Sequence, residues 1–255
     1  MVLIRDVMTK NPVVVSPDDR VTKARSIIRQ YGYRALPVLE NNKLVGMVSR
    51  GDILRITSTR ADIQIEGIMN KEPITVGPEI DLPKATREII KHGVRQLPVV
   101  DGPELLGIVS SVDLLNGFVR HKYKPAAKKI SDVMSTKVVH CRPDDELSHV
   151  WNSMLASGFA GMPVVDNKKV VGMITRMDII RKGSARLSLE SGRTKSVLVK
   201  KVMKTPAITT TPDAEISVVA EIMLKNKIIR LPVVDNKHKL LGIVDIEDVL
   251  RAYIS

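Results

Sequence analysis

The stretch YRALPVLENNKLVGMVSRGDIL, residues 33–54, decides the architecture, because the chain returns to it three times. The other copies are VRQLPVVDGPELLGIVSSVDLL (94–115), FAGMPVVDNKKVVGMITRMDII (159–180) and IIRLPVVDNKHKLLGIVDIEDVL (228–250). Each reads as two short apolar strands joined by a polar turn, then a helix opening beside a carboxylate. Working outward, Met8, Met69, Met134 and Met203 lie 61, 65 and 69 residues apart. Pro17, Pro78, Pro143 and Pro212 follow these methionines by nine residues, and Pro37, Pro98, Pro163 and Pro232 follow them by 29. Asp52, Asp113, Asp178 and Asp248 each follow a glycine (Gly46, Gly107, Gly172, Gly242) by six. The step from strand proline to glycine is nine residues in three copies and ten in the last, which places the extra residue in the turn Asp235–Lys239. A hairpin turn is where an insertion disturbs least.

Every repeat has the same grammar. A short apolar strand such as Pro12–Val15 or Ile74–Val76 precedes a proline read as the first residue of a helix. Acidic residues beside that proline would suit the helix dipole. Apolar residues then recur at helical spacing (Val21, Ala24, Ile27, Ile28; Leu147, Val150, Trp151, Met154), and Gly32, Gly93 and Gly158 end three of the helices, with Asn226-Lys227 in the fourth. The hairpin (Leu36–Leu39, Leu44–Val48) and a second helix complete an α+β chain of four tandem β-α-β-β-α units. With 255 residues, two domains are the natural expectation. Aromatic residues make up 3% of the chain, so the cores must be aliphatic. No apolar run reaches the roughly 20 residues of a membrane span, and MVLIRDVMTK has no signal-peptide pattern. Cys141 is the only cysteine, which with the missing signal suggests a reducing cytoplasm. Its apolar neighbours Val138 and Val139 suit a small buried hydrophobe better than a nucleophile.

The repeated wording, LPVVD…LLGIVS..D, resembles the cystathionine-β-synthase (CBS) domain family over nearly the whole chain, residues 3–255. Four units and little else resemble the γ subunit of AMP-activated protein kinase and its archaeal relatives. The resemblance implies two Bateman modules with pseudo-twofold symmetry. They would span residues 1–121 (units 3–57 and 63–120) and 125–255 (units 128–183 and 197–255). It also implies clefts between paired units that take AMP, ADP, ATP or S-adenosylmethionine, with no further cofactor and no metal. Carried over by position, one cleft joins Val13, Tyr33, Arg34 and Ala35 to Ser110 and Asp113. A second joins Ile74, Arg95 and Gln96 to Ser49 and Asp52, and a third joins Ile208, Ile229 and Arg230 to Thr175 and Asp178. The fourth joins Val139, Ala160 and Gly161 to Asp245 and Asp248.

The Ser/Thr-x-x-Asp motif has two compatible readings. It is a helix cap, hydroxyl first and acid three residues on. It is also a carboxylate placed to accept a ribose diol, beside a hydroxyl and a helix start that suit phosphate. The arginines 34, 95 and 230 are read at matching offsets before the strand proline, which favours phosphate contact over solvated charge. The fourth cleft has no such arginine and adds Asp245, so two carboxylates should exclude a polyphosphate there. Such a cleft would stay empty or take the sulfonium of S-adenosylmethionine.

Enzyme readings find no support. No Gly-rich phosphate loop, His-Glu-x-x-His or paired cysteine is present, and the five histidines share no ligand spacing. The expected role is regulatory, through a separate protein partner, with module stacking or a homodimer open. The net charge is +12, with 17 basic and 14 acidic residues in 1–121 against 23 and 14 in 122–255. The excess gathers in Arg181–Lys204, with eight Lys/Arg and one Glu, and in HKYKPAAKK near residue 122. These read as solvated linkers, or alternatively as a strip for nucleic acid or an acidic protein. No base-reading motif accompanies them.

Overall fold

The repeated methionines and glycines meet across repeats. In the computed structural model, which describes residues 1–56, 63–181 and 197–254, a Cβ added at Gly107 would lie 2.8 Å from Met8 Sδ and 2.7 Å from the Thr9 carbonyl oxygen. Reciprocally, a Cβ at Gly46 would meet Met69 Sδ and the Asn70 carbonyl, and Gly172 with Met203, and Gly242 with Met134, stand in the same relation. Each methionine therefore marks a segment lying against the glycine of its partner repeat, where only hydrogen fits.

The first repeat runs through a 3-10 turn Ile4–Asp6, β1 (Thr9–Lys10), α1 (Val21–Tyr31), β2 (Ala35–Glu40), β3 (Lys43–Ser49) and α2 (Arg50–Arg55). The second has the turn Ile65–Gly67, α3 (Leu82–His92), β4 (Gln96–Asp101), β5 (Glu104–Ser110) and α4 (Ser111–Arg120). The third has Ile130–Asp132, α5 (Leu147–Ser157), β6 (Gly161–Asp166), β7 (Lys169–Thr175) and α6 (Arg176–Arg181). The fourth has Val199–Lys201, α7 (Ile216–Asn226), β8 (Arg230–Val234), β9 (Leu240–Asp245) and α8 (Ile246–Ile254). The chain divides into two compact units, Met1–Lys124 with Tyr253–Ser255, and Pro125–Ala252. In the first unit β2 pairs β3, β4 pairs β5, and β5 also pairs β1 and β3, all antiparallel. In the second, β6 pairs β7 and β8 pairs β9.

The prolines are explained by what their backbones do. Pro37, Pro163 and Pro232 stand opposite Met47, Met173 and Ile243. These residues turn both backbone groups away from the proline, to Asn70, Lys204 and Ser135 of the partner repeat. A residue without an N–H fits such a strand position because its neighbour's bonds are made elsewhere. Its carbonyl accepts the first apolar segment instead: Val15 N–H to Pro37 at 3.0 Å, Val76 to Pro98 at 3.1 Å, Cys141 to Pro163 at 3.1 Å and Thr210 to Pro232 at 3.0 Å. That segment forms a single parallel bridge (Val15 with Val38, for instance) where a strand was expected.

The earlier prolines do not start helices. The helices begin at Val21, Leu82, Leu147 and Ile216, four residues beyond Pro17, Pro78, Pro143 and Pro212. The first turn of α1, α3, α5 and α7 holds no acid, which corrects the dipole reading. The proline turns serve the partner instead. The carbonyls of Pro17, Pro78, Pro143 and Pro212 accept N–H groups of Glu66, Arg5, Lys200 and Ser131 at 3.1, 3.1, 2.9 and 2.8 Å. Each donor belongs to the 3-10 turn of the paired repeat. The helix ends are as read, with Gly32, Gly93, Gly158 and Lys227 left-handed at φ of 77°, 62°, 75° and 53°.

The core follows the same exchange. Val15, Val21, Ala24, Ile28, Leu36, Val38, Val48 and Ile53 of the first repeat close around Ile65 of the second. Cys141, Leu147, Met154, Val164 and Ile174 of the third close around Val199 and Val202 of the fourth. Ile65 and Val199 are fully buried, each contributing about 1.5–3 kcal/mol by leaving water. Burial, then the nearby Asp145 carboxylate, pushes the Cys141 thiol up to about 12. Cys141 should therefore resist iodoacetamide at pH 8 in the folded protein and alkylate only on unfolding; labelling at the free-thiol rate under native conditions would contradict this packing.

Candidate functional site

Three of the four helix starts have one geometry. The Ser49 backbone N–H donates to Asp52 Oδ2 at 2.9 Å, its hydroxyl donates to the same oxygen at 2.6 Å, and the Asp52 N–H returns to Ser49 Oγ at 3.3 Å. Ser110 and Asp113 repeat this at 2.8, 2.6 and 3.3 Å. Thr175 and Asp178 do so with backbone bonds of 3.0 and 3.2 Å and a short hydroxyl bond. Capping thus uses a single carboxylate oxygen. Among the described residues, Oδ1 of Asp52 and Asp113 makes no hydrogen bond, so it keeps two lone-pair directions. The hydroxyls of Ser49, Ser110 and Thr175 are bonded to the aspartates of their own helix starts. Asp178 is buried, and Lys204 Nζ approaches its Oδ1 at 3.6 Å.

The residues just before each hairpin are fixed to these helix starts. Arg50 N–H donates to the Arg34 carbonyl at 2.8 Å, Ser111 to Arg95 at 3.1 Å, Arg176 to Ala160 at 3.0 Å and Ile246 to Ile229 at 2.8 Å. One residue on, Ala35 faces Ser49, Gln96 faces Ser110, Gly161 faces Thr175 and Arg230 faces Asp245. This register corrects the matching-offset reading. Arg34 and Arg95 are equivalent to Ile229, whereas Arg230 is equivalent to Ala35, Gln96 and Gly161.

Arg230 is engaged at that place. Its Nε and Nη2 donate to Asp245 Oδ2 at 3.0 and 2.6 Å, and its Nη1 donates to the Gly161 carbonyl at 2.9 Å. Both side chains of the ion pair are 15% exposed. The second carboxylate of the fourth cleft is therefore matched by a guanidinium, which overturns the argument from two uncompensated acids. It also removes the basis for welcoming a sulfonium there. At that helix start the Asp245 N–H donates to Asp248 Oδ2 at 2.7 Å, with no hydroxyl taking part. Burial raises the Asp248 pKa, and the charges of Asp245 and Glu247 add to the rise against the pull of the Asp245 N–H.

Two arginines that the motif hides in its variable positions anchor the same region. Arg50 Nη2 donates to the Gly32 and Tyr33 carbonyls at 2.8 and 2.9 Å. Arg176 Nη2 donates to the Met154 carbonyl, and its buried Nε has no hydrogen-bond partner among the described residues. Burial lowers the Arg176 pKa, and the charge of Arg230 lowers it further.

Apolar side chains stand open beside these starts. Val13, Val139 and Ile208 occupy one register, two residues before Val15, Cys141 and Thr210, and are 39%, 45% and 40% exposed; Ile74 is half-buried. Tyr33 stacks on Tyr31 with ring centroids 5.5 Å apart. Gln96 Oε1 is buried and has no hydrogen-bond partner among the described residues. The structure thus brings Arg34 and Ala35 to Ser49, Arg95 and Gln96 to Ser110, and Ile229 to the Asp245 start, each inside its own repeat; Arg230 to Gly161 crosses from the fourth repeat to the third. Among the described residues there is no metal-capable cluster, and no helix is long and apolar enough to cross a membrane.

The family model for the CBS domain matches the chain four times, at residues 4–58, 65–120, 130–185 and 199–255. Protein MJ1225 of Methanocaldococcus jannaschii is 27% identical over 270 residues, covering 96% of each chain. Its crystal structure, described as that of a candidate archaeal homologue of γ-AMPK, matches with a TM-score of 0.82 at 25% identity, over 98% of this chain and 99% of that one. A protein of Pyrococcus horikoshii shares the fold, with a TM-score of 0.73 at 22% identity over 98% and 99%. Inosine-5'-monophosphate dehydrogenase of Korarchaeum cryptofilum is 40% identical over 113 residues, 44% of this chain and 22% of that enzyme.

Proposed function

The chain belongs to the CBS domain family, and from that premise we propose that it is a regulatory sensor of an adenine nucleotide, AMP, ADP or ATP, that signals to a separate protein. The modules would be residues 1–121 and 125–255. The observation that carries the reading is the spare carboxylate oxygen. Asp52 and Asp113 cap with Oδ2 alone, and a cap needs no second oxygen. Oδ1 accepts the two hydroxyls of a ribose. Val13 or Ile74 covers the base, and Arg34 or Arg95 meets the phosphate. One cleft combines Val13, Tyr33, Arg34 and Ala35 with Ser110 and Asp113; the other combines Ile74, Arg95 and Gln96 with Ser49 and Asp52. In the second module, Ile208 and Ile229 with Thr175 and Asp178 form the better cleft, and Lys204 replaces Arg230 as its cation. The similarity to MJ1225 over full length supports a regulatory role rather than a catalytic one.

Titration calorimetry with AMP, ADP and ATP tests this. Asp52→Ala and Asp113→Ala should each weaken one site by about 1.5–3 kcal/mol, the worth of a hydrogen bond to a charged group, and leave the other near normal. Losing a cap should also cost about 1 kcal/mol of stability without ligand. If melting temperature falls while affinity and stoichiometry stay unchanged, the aspartates are caps and nothing more.

A further inference from the structure

The hairpin tips of paired repeats touch. In the first unit the contact places Lys43 opposite Glu104, and the Leu44 N–H donates to the Pro103 carbonyl at 3.0 Å. In the second unit the corresponding bridge places Lys169 opposite Lys239, and the Val170 N–H donates to the His238 carbonyl at 2.9 Å. The same backbone contact thus carries opposite charges in one unit and like charges in the other. Like charges directly opposite destabilise a sheet. Folding therefore gives no reason for Lys239, because the first unit shows what folding alone accepts there.

The surroundings sharpen the contrast. The first pair of tips holds Glu40, Lys43, Asp101 and Glu104; the second holds Asp166, Lys168, Lys169, Asp235, Lys237, His238 and Lys239. All four of these lysines and His238 are exposed. Asp235 stays ionised, its Oδ1 accepting the turn's own N–H groups from Lys237 at 2.9 Å and Lys239 at 2.8 Å, so with Asp166 it offsets two of the four lysine charges and leaves these tips a formal +2 (4 − 2) against −2 (1 − 3) for the first pair. The residue that lengthens the fourth hairpin sits in this turn, where His238 adopts a positive φ of 60°. The insertion thus enlarges the basic surface.

We propose that the two hairpin tips of the second unit, through Lys168, Lys169, Lys237 and Lys239, form a sequence-independent contact surface for the phosphate backbone of a nucleic acid. Residues 166–169 and 236–239 contain no apolar side chain, whereas a protein partner would need an apolar or aromatic anchor at the centre of its interface. Lysine is a point-charge phosphate ligand that needs no fixed geometry. None of these four lysines belongs to the basic linker, whose residues 182–196 lie outside the described residues.

Fluorescence anisotropy with the intact protein and a labelled duplex of about 20 base pairs tests the proposal. Four lysine–phosphate contacts should give a slope of about −3 to −4 in log affinity against log salt, a loss on the order of 100-fold between 50 and 200 mM. Lys239→Glu copies the pairing of Lys43 with Glu104. It should leave the melting temperature unchanged or raise it, weaken DNA binding about tenfold or more, and flatten the salt slope by about 1. Lys168→Glu should weaken binding likewise, and Lys43→Glu in the first unit should not. Absence of binding at 50 mM salt would overturn the proposal. So would binding untouched by Lys239→Glu and Lys168→Glu but lost when the basic residues of 182–196 are neutralised. Displacement of the duplex by an equal charge concentration of poly-glutamate, with tighter binding of that peptide, would also overturn it, in favour of an acidic protein.

Discussion

Arg230→Ala should destabilise the second unit by about 2–4 kcal/mol, read as a fall in the midpoint of urea unfolding. Removing one partner of a buried ion pair costs about 3–5 kcal/mol because the other charge stays desolvated, and the slight exposure of this pair sets the value at the lower end. Asp245 would lose both guanidinium bonds, and the Gly161 carbonyl would lose its donor. The first repeat shows the remedy, since Ala35 there faces Ser49. The double change Arg230→Ala, Asp245→Ser should recover most of the loss. It should also raise the nucleotide stoichiometry of the second module, if the internal ion pair is what closes the fourth cleft. A single change with no effect on unfolding would mean that the pair contributes nothing.

Gly107→Ala should cost about 3 kcal/mol or more in the first unit. Inserting a methyl into a packed site costs about 1–3 kcal/mol when side chains can yield. Here the nearer atom is the Thr9 carbonyl oxygen, which cannot move without breaking β1 from β5. Met8→Ala in the same chain relieves the sulfur contact and leaves the carbonyl clash, so rescue should be partial. Full rescue would show that the methionine alone shapes the contact. The variant should also disturb both proposed clefts of that unit, because β5 leads into Ser110.

The sequence made the four repeats legible because each landmark answers to a backbone requirement. The left-handed helix ends at Gly32, Gly93 and Gly158 and the acid of each cap are local, and spacing reveals them. What spacing could not reveal is who receives each group. Pro17 and Pro78 look like helix starts, yet their carbonyls are held by amides from the other repeat, about 50–75 residues distant in sequence, and no local pattern records that. Arg230 was misplaced for a different reason. In a strand, one residue of shift moves a side chain to the opposite face, so an arginine two residues before Pro232 is unlike those three residues before Pro37 and Pro98. Counting to the proline would have separated them. Arg50 and Arg176 occupy variable positions of the motif, where no spacing reveals that they hold carbonyls at the C-terminal ends of α1 and α5.

The exchange of 3-10 turns between paired repeats sets a timetable for synthesis. Ile4 is made 76 residues (80 − 4) before its acceptor, the Ile80 carbonyl. At about 5–20 residues per second, the chain waits about 4–15 s before that bond can form. Between residues 50 and 64 of that stretch the first repeat has its own hairpin but lacks Ile65 in its core and the Asn70 backbone along Met47. A nascent chain that has reached only residue 56 therefore carries an open sheet edge and an unfilled core. Slowing translation just after that point should increase aggregation, whereas a pause once residue 120 has emerged should find both hairpins and both 3-10 turns of the first two repeats available to pair.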